Sequence, residues 1–87
     1  MTGYIYRMYD CRNGMSYIGQ SIDLKRRFYT HILNISHRVN VKVYNYFKDV
    51  PQEYIKFEVL CECDQSELNY FEQMYIDLYD TYNSGLN

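Results

Sequence analysis

The chain has 87 residues, a length that predicts one small domain over residues 1–87 with a modest core. Apolar residues make up 47% of it, and only four Gly and one Pro occur, which argues against a disordered chain. No secretory or membrane-spanning segment is present, and the three Cys give neither an even disulfide set nor paired zinc ligands. We therefore expect a globular protein in a reducing, intracellular setting, with no membrane partner.

The charges are unevenly distributed. The net charge of −2 alone argues against nucleic acid as a partner, but residues 1–48 carry eight Lys or Arg against two acids. Residues 49–87 carry one Lys against nine acids. Clustered cations can follow a phosphate backbone even in an acidic chain. Two ordinary solvated faces would show the same split, so charge alone favours neither interpretation.

Two runs of alternating residues predict a β-hairpin near the N-terminus. In residues 4–9 aromatic and branched side chains recur at every second position, and residues 15–19 repeat the pattern after the turn dipeptide Asn13-Gly14. We therefore expect strands at about 4–9 and 15–19.

The hairpin register has two candidates. Directly paired residues share a face of the sheet, so any unbulged loop of even length puts Tyr6 and Tyr17 on the same side. A four-residue loop from Asp10 to Asn13 would set them directly opposite. A two-residue turn at Asn13-Gly14 would instead stagger them by four residues, roughly 13 Å along the strand. The sequence leaves the register open but predicts the shared face.

The remaining apolar spacing predicts three helices and a third strand. The helices are expected at about 22–36, 40–48 and 65–79, and the strand at about 55–61. The core-facing positions of the first and last helices are Leu24, Phe28, Ile32, Ile35, Leu68, Phe71, Tyr75 and Leu78. The strand is expected to have one buried face, made of Ile55, Phe57, Val59 and Cys61.

The first helix also carries polar residues beside its apolar face. Ser21 can cap this helix, and Arg27 and His31, four residues apart, lie one above the other. A guanidinium and an imidazole are therefore expected next to the two hairpin phenols.

Several short motifs follow one another in a fixed order along the chain. They are Tyr4-Ile5-Tyr6, Tyr17-Ile18-Gly19, Gln20, Asp23-Leu24, Arg27, His31, Glu72 and Asn87. In this order and at these spacings they resemble the GIY-YIG nuclease superfamily, especially the catalytic domain of intron-encoded homing endonucleases and the nuclease domain of bacterial excision repair. Tyr4 stands where the first motif normally has Gly. The resemblance implies an α+β fold in which a three-stranded antiparallel sheet is packed by the predicted helices.

The resemblance also implies a divalent-metal-dependent DNA endonuclease. The catalytic residues it implies are Tyr6, Tyr17, Arg27, His31, Glu72 and Asn87. Phosphodiester hydrolysis needs a base, positive charge at the phosphate and help for the leaving oxygen. Arg27 would hold phosphate oxygens, with Lys25 and Arg26 as further phosphate contacts. Glu72 would be the single carboxylate on Mg²⁺ or Mn²⁺.

The proton-transfer groups have alternatives. Tyr6 is the expected general base, although Tyr17 could share or exchange that role, and His31 would orient a group or relay a proton. Each residue also has a plainer interpretation. His31 could complete the polar helix surface, Arg27 could be a surface cation and Glu72 a solvated helix residue.

Two functions therefore follow from the sequence. The first is the endonuclease, and the second is a non-catalytic nucleic-acid-binding or protein-interaction module with the same fold. The complete set of two Tyr, Arg, His and Glu favours the first, because a domain kept only for binding has no need of all five. For a shared site, the last helix should bring Glu72 to the same side of the sheet as Arg27. A dimer mate, a protein partner or an appended DNA-binding domain beyond Asn87 is expected to supply specificity.

Overall fold

The computed structural model describes all 87 residues. Its elements are β1 (Thr2–Asp10), β2 (Ser16–Ser21), α1 (Leu24–Ser36), α2 (Lys42–Phe47), β3 (Ile55–Asp64), α3 (Leu68–Tyr79) and α4 (Thr81–Ser84). Short 3₁₀ turns, Gln52–Tyr54 and Gln65–Glu67, precede β3 and α3. The strands form one antiparallel sheet in the order β2-β1-β3, which confirms the predicted α+β class. None of the helices combines the length and apolar character that a membrane crossing requires.

The hairpin adopts neither of the two expected registers. Tyr6 pairs with Gly19, so Tyr17 is displaced from it by two residues along the ladder. Both phenols still lie on one face, as predicted, with ring centroids 6.4 Å apart. The loop runs over residues 11–14 because Asp10 stays in the strand and Gly14 takes the positive φ (79°) that closes the turn.

The sheet has helices on both faces. One face, named here the α1 face, packs on α2 through a core of Met8, Val43, Tyr44, Phe47, Ile55 and Leu86. On α1, Ile35 packs against this core and Phe28 and His31 pack against Tyr6. The other, named the α3 face, packs on α3 through Ile5, Ile18 and Leu68. Because neighbouring strand residues point to opposite faces, Ile5 and Tyr6 lie on different faces of the sheet although they are adjacent. Tyr6 and Tyr17 both lie on the α1 face.

A bulge in β3 overturns the expected single buried face. Leu60 is left unpaired between Val59, which pairs with Tyr6, and Cys61, which pairs with Ile5. An extra residue in one strand shifts every later side chain to the other face. Cys61 therefore lies on the α3 face, and Val59 is half exposed instead of buried.

The helix bounds differ slightly from the predicted ones. Asp23, not Ser21, caps α1, because its carboxylate accepts from the backbone N–H of Arg26 at 3.1 Å. In α3, the inward stripe includes Ile76, whereas the predicted Leu78 is 71% exposed. The inward positions of Ile35, Leu68, Phe71 and Tyr75 are confirmed, whereas Leu24 and Ile32 are only partly buried and belong to neither core.

Candidate active site

Tyr6 is the centre of a buried polar group on the α1 face. Its side chain is fully buried, and its hydroxyl oxygen lies 2.5 Å from Nε2 of His31. Arg27 donates from Nε to the same oxygen at 3.2 Å. The ring has room because its ladder partner is Gly19, where an added Cβ would overlap the Tyr6 hydroxyl and ring. The first and second sequence motifs thus meet at one phenol.

His31 is the only fully buried residue of α1. Its second ring nitrogen, Nδ1, lies 2.8 Å from the hydroxyl of Tyr44 on α2. Burial, together with the nearby charge of Arg27, lowers the pKa of His31 to about 4. The imidazole is therefore neutral at pH 7. The interpretation of His31 as a residue that completes the helix surface is wrong.

Aromatic rings enclose this group. Phe28 meets Tyr6 edge-on with centroids 5.2 Å apart and stacks on Phe57 at 4.2 Å. Tyr17 meets the His31 ring edge-on at 5.6 Å. These rings keep water away, which strengthens the electrostatic interactions among the polar atoms.

Both phenols hold their protons more tightly than a free tyrosine does. Burial raises the pKa of Tyr6, and the hydrogen bond from Arg27 opposes that rise only in part. Burial also raises the pKa of Tyr17, with Arg27 opposing the rise and Glu72 adding to it. At neutral pH neither side chain is a phenolate. A phenol can act as a base here only if its proton is taken over by another group or its pKa is lowered.

Arg27 joins the buried group to solvent. It is half-buried and its Nε is committed to Tyr6, whereas its guanidinium forms no ion pair and otherwise interacts only weakly with the Tyr17 hydroxyl. Together with Arg26 it borders an open cleft of about 330 Å³ at the start of α1. Arg26 is exposed in this cleft, and Lys25, the preceding residue of α1, is also exposed. The free end of the guanidinium is therefore available to a ligand.

Glu72 lies on α3, whose apolar stripe packs on the α3 face, opposite the buried polar group. Its carboxyl interacts electrostatically with Arg27 and Tyr17, so the expectation that Glu72 lies on the same side as Arg27 stays a prediction. Gln20, at the end of the edge strand β2, donates to Asn69 at 2.8 Å and so ties β2 to α3 one turn before Glu72. Burial raises the pKa of the Glu72 carboxyl, and Gln20 and Arg27 oppose the rise. The carboxylate is thus within electrostatic range of Arg27 at the open edge of β2.

Asn87 does not join the buried polar group. Its side-chain oxygen accepts from the backbone N–H of Ile18 at 2.7 Å, and its amide nitrogen donates to the Ile18 carbonyl at 2.7 Å. Lys42 donates to the backbone carbonyl of Asn87 at 3.1 Å. The Asn87 amide thus pairs with the backbone N–H and C=O of Ile18, as a residue of a neighbouring strand would. This pairing holds the β2 segment that carries Tyr17 and Gly19.

The sequence interpretation overlooked Tyr44 and Asn34. Tyr44 is a buried α2 residue whose hydroxyl also accepts from Asn34 Nδ2 at 3.3 Å. The sequence could have indicated this, because Tyr44 follows Val43 directly and lies three residues before Phe47, a spacing that predicts an inward position on α2. An inward Tyr needs a polar partner, and the buried His31 supplies it.

Acids also neutralise part of the basic half of the chain. Arg7 forms an ion pair with Glu58 at 3.0 Å on the α3 face. Arg12 pairs with the fully buried Asp10 at 2.9 Å beside the hairpin loop. The cations that remain near the cleft are those at the start of α1.

The donors fit a divalent cation held through one carboxylate. No group of three or more His, Cys, Asp and Glu side chains lies close enough together to form an all-protein metal cage. Mg²⁺ commonly binds through one or two carboxylates, with waters and substrate phosphate completing its shell. The half-buried Glu72 beside the Gln20 amide offers such a carboxylate.

Comparisons with known proteins agree with this architecture. The family model described as the GIY-YIG catalytic domain matches residues 2–87. The solved catalytic domain of the homing endonuclease I-TevI superposes with a TM-score of 0.87 at 17% identity, covering 98% of this chain and 96% of that one. A mutant of the I-TevI catalytic domain, described as an intron endonuclease, superposes with a TM-score of 0.86 at 18% identity, covering 100% of this chain and 93% of that one. A search of curated protein sequences found no match.

Proposed function

Because this chain belongs to the GIY-YIG catalytic-domain family, we propose that it is a divalent-metal-dependent endonuclease that hydrolyses phosphodiester bonds of DNA. One observation carries the proposal. A buried phenol and imidazole, Tyr6 and His31, are joined to solvent by a guanidinium that forms no ion pair. Buried ionisable side chains with perturbed pKa values concentrate at functional sites, and both Tyr6 and His31 are of this kind.

Arg27 is the proposed phosphate-binding residue. Its planar fork can donate to two non-bridging oxygens while Nε stays on Tyr6, which a lysine could not do. The same contact would place a phosphorus atom near the two phenols. Arg26 and Lys25, exposed beside the cleft, would contact neighbouring phosphates and position the strand.

A phenol is the proposed general base. Tyr6 would take the proton of the attacking water, which requires the enclosing rings to admit that water because Tyr6 is fully buried. Tyr17, the partly exposed phenol, is the alternative. For either one to act, its own proton must move or its pKa must fall, because burial raises both pKa values. His31 is the proposed relay for Tyr6, since its neutral imidazole is in hydrogen-bond contact with that hydroxyl.

Glu72 is the proposed ligand of Mg²⁺ or Mn²⁺. When bound, the cation would supply positive charge to the leaving oxygen and to the phosphate. Asn87 is proposed to act at a distance from the substrate, since both polar atoms of its side-chain amide are bonded to the backbone of β2.

DNA is the proposed substrate, and the protein would act inside the cell wherever that DNA lies. The cations beside the cleft are few, so sequence specificity is proposed to come from a dimer mate, a protein partner or an appended DNA-binding domain. Homing and DNA repair are both compatible with this chemistry.

Incubation with supercoiled plasmid tests the proposal. The wild-type protein should nick the plasmid with Mg²⁺ and leave it intact with a chelator. Arg27→Ala should lower both binding and cleavage, because the cation contacts phosphate in the ground state and the transition state. Lys48→Ala, which removes a cation distant from the cleft, is the matched control. Binding without cleavage in every divalent metal would favour the non-catalytic module.

A further inference from the structure

Hydrogen-bond accounting around Tyr6 fixes the direction of its bond to His31. The Tyr6 hydroxyl has two partners, Arg27 Nε and His31 Nε2, and the side chain is fully buried. Arg27 can only donate, so it uses a lone pair of the phenol oxygen. The hydroxyl proton then has a single available acceptor, Nε2. If Nε2 carried a proton, the Tyr6 proton would be buried without a partner, which folded proteins avoid.

The other ring nitrogen of His31 must therefore carry the imidazole proton. A neutral imidazole has one N–H, and with Nε2 as the acceptor that N–H is at Nδ1. Nδ1 faces the Tyr44 hydroxyl at 2.8 Å. Asn34, one turn further along α1 from His31, also donates to Tyr44. Tyr44 is 6% exposed whereas Tyr6 is fully buried, so the Tyr44 hydroxyl proton can reach water while its oxygen accepts from Nδ1–H, and the Tyr6 proton has no acceptor other than Nε2.

We propose that Tyr44 is a positioning residue of the active site, which holds His31 in the Nδ1–H tautomer so that Nε2 accepts the Tyr6 hydroxyl. Tyr44 acts through His31 and does not contact the substrate. A partner on the second nitrogen is the general means by which a protein selects the tautomer and orientation of a working histidine. The kinetic consequence rests on the proposed nuclease function, whereas the tautomer itself does not.

Nuclear magnetic resonance of isotope-labelled histidine tests the tautomer without DNA or metal. The chemical shifts of the imidazole nitrogens distinguish a protonated from an unprotonated nitrogen. The chain has two histidines, so the exposed His37 is assigned by its loss in His37→Asn. The expected wild-type result at neutral pH is a protonated Nδ1 and an unprotonated Nε2 at His31. A protonated Nε2 would overturn the proposal.

Tyr44→Phe removes only the hydroxyl that faces Nδ1. It should weaken the Nδ1–H preference of His31 and lower kcat roughly 10- to 100-fold with KM unchanged, as loss of an outer hydrogen-bond partner typically does. The matched control is Tyr46→Phe on the same helix, which removes a hydroxyl bonded to Asp10 instead. It should change neither the His31 spectrum nor the cleavage rate.

The outcomes separate this proposal from the nuclease function. An unchanged His31 spectrum in Tyr44→Phe would overturn the role of Tyr44, whatever the protein cuts. If the wild type cuts nothing but shows the Nδ1–H tautomer, and Tyr44→Phe loses it, the nuclease function fails and the positioning role stands. If Tyr44→Phe does not fold, the wild-type spectrum still tests the proposal, because a protonated Nε2 at His31 would overturn it.

Discussion

Substitution of Gly19 by Ala should damage the site through Tyr6. A Cβ at position 19 would lie within 3.0 Å of three Tyr6 atoms, namely the hydroxyl oxygen and two ring carbons. Tyr6 cannot yield easily, because Phe28 packs on its ring and His31 holds its hydroxyl. Overpacking a well-filled core typically costs about 1–3 kcal/mol of unfolding free energy, and we expect the upper part of that range.

The effect on cleavage should exceed the effect on stability. Relief of the overlap requires the Tyr6 hydroxyl to move by about 1 Å, and misplacement of that size can lower the rate about 100-fold. Urea unfolding measures the stability, and plasmid nicking measures the rate. Gly14→Ala is the matched control, because Gly14 has a positive φ but open space around it. It should lose about 1–2 kcal/mol from backbone strain and keep its cleavage rate.

A folded Gly19→Ala protein with wild-type stability and wild-type nicking would refute this reasoning. It would mean that the Tyr6 ring is not wedged between β2 and α1, or that its position does not matter for cleavage. A loss of stability alone, equal to that of Gly14→Ala, would assign Gly19 to folding and remove it from the site.

Three further predictions concern charge. Asp10→Asn should lower the free energy of unfolding by about 2 kcal/mol in urea titrations, because the buried Asp10 carboxylate accepts two hydrogen bonds from the Arg12 guanidinium. Arg12 can turn to water once that charge is lost. An unchanged free energy of unfolding would show that the ion pair does not stabilise the fold. The pKa of His31 is about 4 in the folded state against 6.5 in the unfolded chain, so the unfolded chain binds the proton first as the pH falls. The free energy of unfolding should therefore have its full value above pH 6.5 and fall by about 3 kcal/mol toward pH 4. His31→Gln should abolish that decline, and a decline that persists would point to other groups. DNA affinity should fall steeply with salt concentration. The slope of log affinity against log salt concentration should be flatter by about one unit in Lys25→Ala or Arg26→Ala. A salt-independent affinity would show that the uneven charge distribution has no role in DNA binding.

Local patterns were sufficient for the elements and for the pairing of functional groups. Side-chain alternation alone predicted that Tyr6 and Tyr17 share a face, because any hairpin loop with an even number of residues keeps them on the same side of the sheet. It could not give the register, which depends on Asp10 remaining in the strand. That carboxylate is held by the neighbouring Arg12 and by Tyr46, which is distant in sequence.

Long-range contacts decide what the sequence could not show. The bulge at Leu60 lets one strand pack against the core on each face of the sheet. No residue pattern within β3 predicts it. His31 has the spacing of a flank residue, yet it is fully buried because Tyr6 and Tyr44 provide partners for both ring nitrogens. The sequence could not show which face of the sheet α3 covers, because the apolar stripe of a helix predicts burial but not the side of the sheet on which it packs.

Glu72→Gln provides the decisive comparison for the nuclease account. The amide keeps the size of the carboxylate and loses its charge, so the proposed cation loses its only protein ligand. Binding should be equal or tighter, because a carboxylate near a phosphate repels it when no metal is present. Glu62→Gln, an exposed acid on β3, is the matched control for a change of one charge.

Plasmid nicking in Mg²⁺ should be measured beside a DNA-binding titration in Ca²⁺ or chelator, for the wild type, Glu72→Gln and Glu62→Gln. We expect Glu72→Gln to bind DNA at least as tightly as the wild type and not to nick it, while Glu62→Gln does both. Nicking by Glu72→Gln at the wild-type rate would contradict the proposed role of Glu72, because the metal would then be held elsewhere or the cleavage would belong to a contaminant.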